Sequence, residues 1–193
     1  MRWRSGLWIA LATGLAAGLP AVAAAQSPPA TTPKPAPTLE QCIAAAARYH
    51  QVHPQILWAI LKVESNLQAQ TLTRNRNGTR DHGMGGINTI HLPELDRHGV
   101  APHDLQDPCV NTYVAAWYLR RQMLRHGNTW FGVAAYHSVT PYFNQRYQIL
   151  LRNALVRAQV LAGRTEPVPP LLPEKSQPNQ AVAQSAGAQI APK

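Results

Sequence analysis

The chain has 193 residues, 45% hydrophobic and 14% charged, with a net charge of +9 and only two cysteines. That length and balance exclude a large multidomain protein and a disulfide-dense scaffold, and no segment repeats at a fixed period. The basic excess favours anionic partners, but no nucleic-acid-binding motif or interleaving of aromatic and basic residues accompanies it, so nucleic acid is not an expected partner.

Taken in chain order, residues 1–25 read as an export signal. Arg2 and Arg4 precede an apolar run from about Leu7 to Ala25, which ends in the small-residue cleavage site Ala23-Ala24-Ala25. An uncleaved anchor is the alternative, because the run approaches membrane-spanning length. Pro20 and the alanine-rich end favour cleavage, which places the remainder in the periplasm. Loss of Arg2 and Arg4 takes the net charge from +9 to +7. Residues 26–37 form a stiff proline-rich linker. Residues 164–193 lack helical periodicity and are rich in Pro, Gln and Ala, the composition of a disordered tail. Residues 38–163 remain as one folded domain.

That domain reads as helical. Thr38 and Gln41 form a capping box that opens a helix over "LEQCIAAAARYH". Pro54 begins the next, as first-turn prolines do. The polar stretch "TRNRNGTRDHGMGGIN", residues 73–88, interrupts the helices, with Asn77-Gly78 marking a turn or small hairpin. A short helix over "TIHLPELDRHG" stops near Gly99. Asp107-Pro108 starts a long helix that Gly127 ends. Asn128 caps a shorter one, and Thr140-Pro141 opens the last, running to about Ala162. The fold class is α+β, predominantly α, a single domain with a small loop or hairpin insertion.

Cys42 and Cys109 both fall inside the domain. In an exported chain the economical reading is one Cys42–Cys109 disulfide, stabilising by about 4 kcal/mol through loop entropy. The histidines form no tight metal-ligand spacing. His91, Glu94 and His98 come nearest, but Pro93 disturbs their helix. No metal or cofactor is expected.

The second helix carries an anomaly. At about 100° per residue, Leu57, Ile60, Leu61 and Leu67 share one side, and Gln55, Ala59, Lys62 and Asn66 share the other. Glu64 falls near the centre of the apolar side. A carboxylate there is costly unless it is paired or faces a cleft, and desolvation raises its pKa towards the range a general acid needs.

Three segments then carry a family resemblance: "AILKVESN" at 59–66, "RNRNGTRDHGMGGIN" at 74–88 and "WFGVAAYHSVTP" at 130–141. Together with "LQDPCVN", they make the chain similar to the lysozyme-like lytic transglycosylases of the soluble-transglycosylase type. The likeness is to the small exported members attached to secretion, conjugation and pilus systems. It spans nearly all of residues 39–160. The resemblance implies a goose-type lysozyme/transglycosylase fold, Glu64 as the catalytic acid, and Ser65 beside it placing substrate or the carboxylate. Gly83-Met84-Gly85-Gly86-Ile87-Asn88 resembles the family's Gly-Leu-Met-Gln-Ile-Asn motif, which lines the substrate cleft. Gly86 replaces the glutamine, removing a side chain that could hold a sugar. Tyr136 matches the tyrosine that commonly hydrogen-bonds the catalytic glutamate, and His137 follows where the wider family has asparagine.

The acids of the domain are Glu40, Glu64, Asp81, Glu94, Asp96, Asp104 and Asp107, with no obvious second catalytic group. Most glycosidases use two carboxylates. The resemblance implies a reaction that needs one: cleavage of the MurNAc–GlcNAc bond of peptidoglycan strands with closure of a 1,6-anhydro ring, locally opening the wall for an envelope-spanning machine. Two alternatives stand beside it. A hydrolytic lysozyme requires Asp81 or Asp104 to reach the other sugar face, and a wall-binding assembly factor has catalysis reduced or lost.

Overall fold

The capping box forms as the sequence dictates. Gln41 N–H donates to Thr38 Oγ1 at 3.3 Å and Thr38 N–H donates to Gln41 Oε1 at 2.9 Å, opening α1 (Leu39–His50). The structure, a computed structural model, describes residues 35–171. The export signal, most of the linker and residues 172–193 of the tail lie outside the described residues.

Helix α2 (Pro54–Ser65) ends where Asn66 and Leu67 both take positive φ, +57° and +66°. Leu67 therefore leaves the helix and its apolar stripe. Ala59, on the side expected to be polar, is fully buried with Leu57, Ile60 and Leu61. The reason is position: α2 packs against α1, α4 and α6, so it is surrounded instead of lying on the surface.

The polar interruption folds into three short antiparallel strands, β1 (Leu72–Arg74), β2 (Arg80–His82) and β3 (Ile87–Asn88), in that order. Gly78, at φ +85°, makes the turn between the first two. The third strand lies inside the glycine-rich segment and pairs Asp81 with Asn88 and His82 with Ile87. A 3-10 turn (Thr89–His91) leads into α3 (Leu92–Asp96), and Pro93 sits in its first turn instead of breaking it. After a second 3-10 turn (Asp104–Gln106), Asp107 caps α4 (Pro108–His126), accepting from Cys109 and Val110 N–H at 2.8 Å. Thr129, not Asn128, caps α5 (Trp130–Ala134), its hydroxyl accepting from Gly132 N–H. Helix α6 (Pro141–Arg157) stops short of Ala162.

The core centres on α4, whose Val114, Ala115, Ala116 and Leu119 are buried. Small residues on α1, Ala46 and Ala47, let that helix lie close along it. The Cys42–Cys109 disulfide joins the first turns of the two helices, their Cα atoms 5.2 Å apart. No helix among the described residues is long and apolar enough to cross a membrane.

The tail boundary shifts. Residues 166–170 are hydrogen-bonded to α6. Buried Asn153 brackets Glu166, donating to its carbonyl and accepting from its N–H, both at 2.8 Å. Arg146 Nε donates to Pro169 O at 2.9 Å and Tyr142 donates to Pro170 O at 2.5 Å. Prolines cannot extend a helix, but their preset φ and unspent carbonyls suit donors on a neighbouring helix. The chain is therefore anchored to at least Pro170, beyond the point where composition alone places disorder.

Candidate active site

Glu64 sits in the last turn of α2 and faces α6 and the glycine loop. Although the residue keeps some accessible surface, its carboxyl is enclosed. Burial pushes the pKa up to about 7, with the charge of Asp81 adding to the rise. The Tyr147 hydroxyl opposes it by donating to Oε1 at 2.5 Å. A carboxyl of this kind exchanges its proton near neutrality, as an acid that later becomes a base requires.

Tyr147 is the residue that the sequence reading missed. Tyr136 instead donates its hydroxyl to the carbonyl of Gly85 at 2.7 Å, so the bond expected between Tyr136 and Glu64 is made by a tyrosine on α6. Both rings are buried, and burial raises both phenols well above their usual range. His137 stacks flat on Tyr147, ring centroids 4.8 Å apart and planes 9° from parallel, and stays exposed.

The glycine loop is packed, not slack. Asn111 of α4 is fully buried. It accepts from Gly85 N–H at 2.6 Å and donates to the carbonyls of His82 and Leu105 at 3.0 and 2.9 Å. Gly83 has φ +65°, and a Cβ there would lie 2.2 Å from both Asn111 Nδ2 and the Leu105 carbonyl. No other residue fits. Asn111 closes the segment "LQDPCVN", where its signal is a polar residue on the buried face of a helix.

Several nominated residues support the site without lining it. Met84 and Ile87 are each 2% exposed and belong to the core, so neither offers a surface to a sugar. Asn88 spends its amide on Asp81 Oδ1 at 2.6 Å and on Thr79, while its oxygen accepts from Ile90 N–H. Ser65 turns back to its own helix, donating to Leu61 O at 3.4 Å and accepting from Gln68 N–H at 3.1 Å. Gly86 remains beside the carboxyl, and His137 lies on the ring of the tyrosine that holds it.

The two candidate second carboxylates are engaged elsewhere. Asp81 accepts from Asn88 on one oxygen and from Asn75 on the other. Asp104 accepts from Ala101 N–H and faces His103 at 3.3 Å. Glu94 pairs with Arg121, and His91, its pKa lowered to about 4 chiefly by burial, packs on Tyr118.

A mainly helical domain with a three-stranded insertion and an enclosed glutamate at the end of its second helix has the lysozyme-like architecture. A family model described as the transglycosylase SLT domain matches residues 41–146. The chain belongs to that family. It is 32% identical over 100 residues to the invasion protein IagB of Salmonella typhimurium, a match covering 51% of this chain and 62% of that protein. A peptidoglycan-binding-like protein of Escherichia coli O157:H7 is 28% identical over 116 residues, covering 56% and 70%. The solved lytic transglycosylase Slt of Pseudomonas aeruginosa aligns with a TM-score of 0.44 at 20% identity, over 57% of this chain and 20% of that one.

Proposed function

We propose that the chain is a peptidoglycan lytic transglycosylase in which Glu64 performs both proton transfers. The protonated carboxyl gives its proton to the oxygen linking N-acetylmuramic acid to N-acetylglucosamine, and the C1–O bond breaks. The muramoyl acetamido group stabilises the electron-poor C1. The carboxylate then takes the proton of the same sugar's 6-hydroxyl as O6 bonds to C1. The products are a 1,6-anhydromuramoyl end and a free N-acetylglucosamine 4-hydroxyl, and no water is consumed. The observation that carries this reading is the Glu64 carboxyl itself, held through Oε1 by Tyr147 with its proton affinity raised to near neutrality.

The setting follows from the same reading. The protein is exported through residues 1–25 and acts on glycan strands in the periplasm. It opens the wall for a secretion, conjugation or pilus apparatus, a role that the invasion-protein relative supports. A wall-binding factor without catalysis is the second reading, favoured by the missing side chain at Gly86 and by the likeness to the peptidoglycan-binding-like protein of E. coli.

Mass spectrometry of purified peptidoglycan incubated with the protein tests the proposal. Muropeptides ending in 1,6-anhydromuramic acid, absent with Glu64→Gln, are expected. Reducing ends would instead identify a lysozyme. Binding without cleavage by a folded sample would leave the assembly-factor reading.

A further inference from the structure

Gly86 stands where the family pattern has glutamine, and the side-chain position it leaves empty borders Glu64. Its φ is +60°, and a Cβ built there would lie 3.1 Å from Glu64 Oε2 and 3.7 Å from Glu64 Cβ and Cδ. The first of these is closer than ordinary contact, so one side must yield by a few tenths of an ångström. The carboxyl has little freedom to do so. Its other oxygen is held by Tyr147 at 2.5 Å, and Tyr147 is 2% exposed with His137 stacked on its face. One oxygen is thus fixed, while the other is bordered by a residue with no side chain.

We propose that Gly86 is a positioning residue. Its bareness keeps Oε2 open to the sugar while Tyr147 fixes Oε1, so that any side chain at this position, glutamine included, displaces the carboxyl and lowers turnover. The inference rests on Glu64 being the catalytic acid. It reverses the simple expectation from the motif, in which restoring glutamine would restore binding. At φ +60° a side chain at 86 starts its path against Glu64.

The consequence for titration has one sign. A side chain at 86 buries Oε2 further, and displacement weakens the Tyr147 bond that favours the charged form. Both effects move the Glu64 pKa further up. With phenylalanine at 147 the carboxyl is free to shift, and the same substitution costs less. The two positions are therefore coupled.

The experiment compares the full chain, disulfide intact, as wild type, Gly86→Ala, Gly86→Gln, Tyr147→Phe and the Gly86→Ala/Tyr147→Phe double variant. Gly78→Ala is the control, because Gly78 has φ +85° with nothing within 4 Å of its Cβ position. It bears the left-handed backbone penalty without touching the site. Readouts are kcat and KM on purified peptidoglycan, and the Glu64 carboxyl titration followed by carbon NMR. Gly86→Ala and Gly86→Gln are expected to lower kcat roughly tenfold or more, because small misplacements of a reacting group are this costly. KM should stay within about threefold, and the added loss in the Tyr147→Phe background should shrink to about threefold or less. Glu64 should titrate higher in both Gly86 variants and unchanged in Gly78→Ala. A Gly86→Gln variant as active as wild type, equal losses in both backgrounds, or an unmoved Glu64 titration would each overturn the proposal. If the wild type does not cleave peptidoglycan, the transglycosylase reading falls, and the titrations still decide whether position 86 presses on Glu64.

Discussion

Removing the charge from Glu64 should stabilise the folded chain at neutral pH and not at acid pH. Its carboxyl titrates near 7 in place of 4.5, with burial as the main cause. The folded chain therefore holds that proton about 3 kcal/mol more tightly than the unfolded chain does. Below about pH 4.5 both states are protonated and the group adds no penalty. As pH rises, the unfolded chain releases its proton first, so stability falls progressively until the folded carboxyl has also ionised, above about pH 7. Glu64→Gln removes the titration yet keeps an oxygen that can accept from Tyr147, so the hydrogen bond survives. Urea denaturation followed by tryptophan fluorescence, from about pH 4 to pH 8 with the disulfide intact, gives the comparison. The variant's advantage should grow across this range to about 3 kcal/mol, and subtracting the two curves cancels the histidines and other carboxylates common to both. An advantage that stays constant with pH, or shrinks as pH rises, would refute the claim that Glu64 is held in an environment hostile to its charge.

Two further outcomes follow from the supports of the site. Asn111→Ala leaves Gly85 N–H and the carbonyls of His82 and Leu105 without their partner. It should cost roughly 3 kcal/mol in denaturation and strip exchange protection from the Gly85 amide. Truncation after Gly163 and Asn153→Ala both break the paired bonds to Glu166. Each should cost about 1–2 kcal/mol, and Asn153→Ala should add little to the truncation; additive losses would show that Asn153 does not hold the strap.

The features legible in the sequence were those whose cause is local. The capping box at Thr38, Asp107 as a cap and the turn at Asn77-Gly78 each depend on a few neighbouring residues. Glu64 was legible because a charge interrupts a periodic stripe, a conflict visible within one helix. Tyr147 was not, since a tyrosine in a helical pattern looks the same whether it faces the core or a carboxyl 83 residues earlier. Matching the motif alone gave that bond to Tyr136, which braces Gly85. The burial of Ala59 was hidden for a similar reason: the stripe on α2 cannot tell how many helices will surround it. Composition cannot show that α6 presents Asn153, Arg146 and Tyr142 to carbonyls and an N–H between Glu166 and Pro170.

Asp81 connects the electrostatics to the choice of reaction. Its charge raises the proton affinity of Glu64, which helps keep that carboxyl protonated near neutral pH. A carboxylate close enough to exert that field would ordinarily be a candidate nucleophile or base. Here Asn88 donates to one of its oxygens at 2.6 Å and Asn75 to the other at 3.0 Å, and the second bond secures the hairpin turn through Thr79 as well. Attack on a sugar, or activation of water, would require breaking at least one of these bonds inside a part-buried network, which costs more than an exposed bond would. Asp81 thus supplies charge to the site without supplying a free oxygen pair. That division of labour is consistent with the proposed reaction, in which the substrate's own 6-hydroxyl would complete what a second carboxylate does in a hydrolase.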